Sequence, residues 1–213
     1  MHLRVVHSAP LFSKPPDQRS CSIRRQVLPV VAASGAGVFV IVLLALPLLD
    51  SGLNLLTAHP EDYARGAYGI AVNASYMALA VALAGLVLSL LPVRGWAIAV
   101  PVLLVPAAVL CVALAVNPIA VAGGNALLLV PIFGLALGPL VGALSLRERF
   151  HPWNGAIVGI GLAVAIAFAG LLVAPDSVGG AVNRAFDLLV GLWVVVAALA
   201  VRRWARSRRA LAA

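Results

Sequence analysis

Residues 153–174 read WNGAIVGIGLAVAIAFAGLLVA and carry no charge. A helix rises 1.5 Å per residue, so about 20 apolar residues cross the roughly 30 Å of bilayer hydrocarbon. The stretch has the length and composition of one span. It is bounded by Arg147-Glu148-Arg149-Phe150-His151-Pro152 before it and by Pro175-Asp176-Ser177 through Gly179-Gly180 after it. Pro and Gly in such positions end helices. Working outward, five more stretches of the same kind run over residues 27–49, 69–91, 96–116, 125–146 and 181–201. Pro92-Val93-Arg94-Gly95 and the segment from Asn117-Pro118 to Gly123-Gly124 supply further breaks. The reading is an all-α chain, a polytopic transmembrane bundle of six helices.

Composition excludes the other classes. Of 213 residues, 63% are apolar and 10% are charged, and the mean hydropathy is +1.08. A soluble domain is roughly 45–50% apolar and about 25% charged, and its surface grows too fast with size to hide so much apolar area. An ordinary soluble enzyme, a disordered chain and a disulfide scaffold are therefore excluded. The excess of 15 basic over 7 acidic residues sits in flanking tails. That pattern fits topology signals and contacts with anionic lipid headgroups, not a folded nucleic-acid surface.

Basic residues in the loops set the orientation. With a cytoplasmic N-terminus, Arg4, Lys14, Arg19, Arg24, Arg25, Arg94, Arg147, Arg149, Arg202, Arg203, Arg206, Arg208 and Arg209 lie inside. Only Arg65 and Arg184 lie outside, with Asp50, Glu61, Asp62 and Asp176. Both termini are expected in the cytoplasm, in the inner membrane. Residues 1–25 are expected to form a disordered basic tail, 26–204 the membrane domain, and 205–213 a second basic tail. The first apolar run is longer than the roughly 7–15 residues of a signal-peptide core and reads as a retained anchor. Trp96, Trp153 and Trp204 fall at inner boundaries, where indole rings favour the headgroup level; Trp193 is mid-span and reads as a packing residue.

Chemistry is sought among the few polar groups in or beside spans. Arg184 and Asp187 are three apart, on one face of the sixth span. They read as an ion pair near its outer end, or as the lining of an outward cavity. Asn73 and Ser75 sit at a similar depth in the second span. The longest outer loop holds His59-Pro60-Glu61-Asp62-Tyr63 and Arg65. Pro60 suits the first position of a helix, and Glu61 and Asp62 suit the positive end of its dipole. The functional alternative is a small outer binding site of His59, Glu61, Asp62, Asn73, Arg184 and Asp187. No catalytic motif, metal-ligand spacing or cofactor loop is present, and Cys21 and Cys111 form no paired motif. Gly134, Gly138 and Gly142 repeat every four residues, as do Gly155, Gly159, Ala163 and Ala167. Such faces let helices approach closely, and the fourth and fifth spans are expected to meet through Gly138 and Gly159 or their neighbours.

Several short features resemble a bacterial six-helix membrane family catalogued as domain of unknown function 998. They are His59-Pro60 in the outer loop, the small-rich helix around Asn73, Asn117-Pro118, the basic loop with Arg147, Arg149 and Phe150, and Arg184 followed by Trp193. The chain differs at Ile119 and Asn125, where that family would place an acid and a His. The resemblance implies six helices and no established activity. The expected role is that of a non-enzymatic integral membrane protein. The alternatives are a transporter or lipid-handling protein with a small outward polar site, and a membrane enzyme.

Overall fold

The computed structural model describes residues 18–49, 52–91, 99–116, 129–146 and 153–210, and the described residues include no strand. The elements are α1 (Gln18–Leu49), α2 (Pro60–Ala64), α3 (Gly69–Leu90), α4 (Ala99–Val116), α5 (Leu129–Leu146), α6 (Asn154–Val173) and α7 (Asp176–Ala210). Five helices are long and apolar enough to cross a membrane: α1 from Gln26, α3, α4, α6 and α7. They mark the chain as a membrane protein. In α5, 18 residues long, the apolar stretch with described side chains is Ile132–Leu144.

α3, α4 and α6 are apolar on every side, which suits lipid and not water. In α3, Val72, Leu79, Leu83 and Leu86 are buried, while Ile70, Val81 and Leu88 are exposed. Its two serines bond within their own turn. Ser75 Oγ donates to Val72 O at 2.7 Å and Ser89 Oγ to Gly85 O at 2.6 Å, so neither hydroxyl is left bare in hydrocarbon.

The long helices pack in chain order. α1 lies on α3, α3 on α4, α4 on α5, α5 on α6, α6 on α7, and α7 returns to α1. Short connections favour such antiparallel neighbours; only Ala174 and Pro175 separate α6 from α7. α7 also touches α3 and α5 across the cycle. Its Phe186, Val190, Trp193 and Ala197 recur at helical spacing and are all buried.

Two expectations are corrected and a third is narrowed. α7 begins at Asp176, so Gly179 and Gly180 are helical and do not form a break. Gly180 makes room for the loop after α1: a Cβ there would collide with Thr57 and the Ala58 carbonyl. α1 begins at Gln18, inside the stretch expected to be a disordered tail. The expected meeting of the fourth and fifth spans forms through neighbours of the named pair, Pro139 and Gly161, and not through Gly138 and Gly159 themselves. A Cβ on Gly155 or Gly159 would meet nothing within 4 Å. Gly161 is the close-approach residue of α6, 2.9 Å from Pro139 O when a Cβ is placed on it. Gly138 faces Leu104 of α4, and Gly142 leaves room for the Trp193 ring of α7. A four-residue repeat gave the right kind of contact in α5 but the wrong face of α6, two residues away. The connecting segments around Arg94, Pro118, Ile119, Asn125, Arg147 and Arg149 lie outside the described residues, as do Trp96 and the tail residues up to 17.

Candidate functional site

The outer polar residues gather where the loop after α1 crosses the start of α7. Asn54 organises the loop locally. Its side-chain oxygen accepts from Leu56 N at 2.9 Å, and its carbonyl accepts from Ala58 N at 2.8 Å. The loop then docks on α7, with Ala181 N donating to Leu56 O at 2.9 Å. His59 caps α2, and Pro60 takes the first helical position. Asp62 Oδ2 accepts from His59 N at 2.8 Å, which satisfies a donor that precedes the helix. The helix-start reading of this segment thus describes its geometry. The backbone of Glu61 is part of α2; its side chain lies outside the described residues.

Arg184 is the centre of the cluster and is 7% exposed. Its guanidinium donates to Leu55 O, Ala58 O and Tyr63 Oη, each at 3.2 Å. The group also sits 5.5 Å from the centre of the Tyr63 ring, within reach of a cation–π attraction. Two loop carbonyls, a hydroxyl and a ring face replace the water this charge gives up. Hydrogen bonds to a charged group contribute about 1.5–3 kcal/mol each, so the arginine pins the loop and α2 to α7.

The sequence pairs Arg184 with Asp187. In the structure their described hydrogen bonds go to different elements, because Asp187 lies nearly a turn deeper and takes the Tyr76 hydroxyl of α3 at 3.4 Å. Tyr76, not Asn73, is the residue of α3 that meets this face of α7. Phe39 of α1 packs on Tyr76 with ring centres 5.6 Å apart, which joins three helices at this depth. Asn73, one turn above Tyr76, holds its Oδ1 buried without a hydrogen-bond partner. The exposed His59 ring lies over the start of α7, with Nδ1 3.4 Å from Asn183 Nδ2.

The cluster therefore has two layers. His59, Asp62 and Arg184 belong to the docking of the loop, and Asp187 lies deeper, bonded to Tyr76 between α3 and α7. Among the described residues no group of three or more His, Cys, Asp or Glu is placed to hold a metal ion. Tyr63, Tyr76 and Asn183 are the partners that sequence reasoning did not assign. Tyr63 had a readable signal, since it stands one helical turn past His59. Tyr76 and Asn183 required the helix pairing. No protein-family model, curated protein or solved structure matches the chain.

Proposed function

We propose that the chain is a six-span, non-enzymatic protein of the cytoplasmic membrane, with both termini inside and a fixed outer cap. The observation that carries this reading is the set of contacts of Arg184. The basic group best placed for an outer ligand spends its donors on Leu55, Ala58 and Tyr63 of its own chain. A guanidinium so engaged is a folding element, not a receptor for an incoming anion. α5 supplies the sixth span: it packs between α4 and α6, and its 18 residues reach about 27 Å. The charge bias of the loops supports the orientation. Kinship with the six-helix family described above is part of the proposal and rests on the short motifs quoted there.

A second reading is favoured by Asn73. A buried side-chain oxygen without a partner in α3, one turn from the tyrosine that holds a half-buried Asp187, suits an outward-facing polar site of a transporter or lipid-handling protein. Complementation separates the two. Variants His59→Ala, Asp62→Asn, Asn73→Ala and Asp187→Asn are introduced into a deletion strain, and membrane abundance is measured beside the deletion phenotype. Under the proposed reading, rescue tracks abundance. A variant present at full level that fails to rescue would establish the second reading. Reporter fusions at Ala213 and beside Ser51 test orientation; a C-terminal reporter active only outside the cytoplasm overturns it.

A further inference from the structure

The opposite end of the bundle holds a different arrangement of arginines. Where α7 passes the start of α6, Trp153, Leu199, Arg202, Arg203 and Arg206 line a cavity of about 310 Å³. That volume is within the range of ligand pockets, roughly 300–1,000 Å³. Among the described lining residues three of five are cationic and none is acidic. Arg203 and Arg206 are exposed, and Arg202 and Trp153 are half-buried, so these charges are not consumed in the core as Arg184 is.

Depth follows from arithmetic on the helix. Arg202 lies 26 residues beyond Asp176, the first residue of α7, which is about 39 Å of rise. Hydrocarbon ends after about 30 Å, and the whole bilayer with its headgroups is about 40–45 Å thick. The cavity is therefore at headgroup level. Leu199, one turn shallower than Arg203, forms its apolar side. Two further features favour an anion there. Trp153 is the N-cap of α6, whose positive dipole end and free N–H groups face this level. The Trp153 indole Nε1 is buried without a hydrogen-bond partner, although buried indole donors usually find one.

We propose that this cavity is a binding site for the phosphate headgroup of an anionic phospholipid in the inner leaflet. Arg202 and Arg206, one turn apart, grip the phosphate, Arg203 adds charge from the side, and acyl chains run down past Leu199. The inference rests on the membrane-spanning reading above.

The test uses the full chain in nanodiscs of phosphatidylcholine doped with phosphatidylglycerol, with native mass spectrometry counting the anionic lipid retained on the released protein. The wild type is expected to retain phosphatidylglycerol. Arg202→Gln combined with Arg206→Gln should lower retention more than tenfold, since each basic group near such a surface contributes about fivefold. Trp153→Phe should lower it less, and Arg65→Gln, one exposed charge removed at the outer end, should leave it unchanged. Gel filtration of each variant verifies folding. Unchanged retention in the double variant overturns the proposal, and so does an equal loss with Arg65→Gln, which would mean general attraction to charge. Inorganic phosphate alone is added to the protein in detergent as a separate arm. Stabilisation as strong as that by phosphatidylglycerol, lost in the same double variant, would assign the cavity to a soluble anion and overturn the lipid. Nanodiscs offer the same lipid to both ends, so lipid retention is independent of orientation, and a failed topology would appear only in the reporter fusions.

Discussion

Arg184 near the start of α7 and Arg202, Arg203 and Arg206 near its end are the same residue on the same helix, yet they stand in opposite surroundings. Arg184 is withdrawn from solvent and bonded to three neutral acceptors of its own chain. The inner arginines surround a cavity, and two of them are exposed. What separates them is the loop. At the outer end residues 52–59 fold over α7 and bring carbonyls to the guanidinium. Near the end of α7, the described lining of the cavity comes from the start of α6 and from α7. An arginine near a membrane surface is thus a fold-holding or a ligand-facing group according to what backbone lies across it.

The comparison predicts a steep gradient in stability. Arg184→Leu should cost the most, about 3–5 kcal/mol, since it strands the Leu55 and Ala58 carbonyls and the Tyr63 hydroxyl together. Thermal unfolding in detergent measures it, and a loss below about 1 kcal/mol would place Arg184 with the inner arginines. Next comes Gly142→Leu, which drives a side chain into the Trp193 ring and should cost about 1–3 kcal/mol by overpacking. Gly161→Leu should cost a similar amount by pushing α6 off Pro139, while Gly159→Leu should change stability by less than about 0.5 kcal/mol because it faces open space. Equal effects at 159 and 161 would show that the face of α6 is misassigned. Asp187→Asn should cost about 1 kcal/mol by weakening the bond to the Tyr76 hydroxyl, and its combination with Arg184→Gln measures the coupling between the two side chains. A double variant more stable than Arg184→Gln alone would restore the ion pair read from the sequence. The smallest effect belongs to Arg206→Gln, within about 0.5 kcal/mol for an exposed charge; a large loss would end the contrast between the two ends.

Much of the fold was legible because membrane spans write themselves as uninterrupted apolar runs. The boundaries of α3 and α6, the N1 position of Pro60 and the buried packing role of Trp193 follow from local chemistry. The site was less legible. His59 and Asp62 were placed correctly as a helix start, yet nothing within five residues of Arg184 announces Leu55, Ala58 or Tyr63, its acceptors. The small-residue stripes were visible, but in a helix apolar all round a stripe has no polar side to orient it, so Gly159 and Gly161 were equally open to the core.

The sequence by itself determined that the helices are membrane-length, where most of them end and which end of the molecule is basic, because transfer from water to lipid is decided residue by residue. Only the tertiary structure decided that Gly161 is inside and Gly159 outside, that Arg184 reaches over to the loop, and that Trp153 and Arg202 line one cavity. Those outcomes depend on which faces of neighbouring helices meet, and in hydrocarbon that is set by close packing and hydrogen-bond satisfaction between segments far apart in the chain.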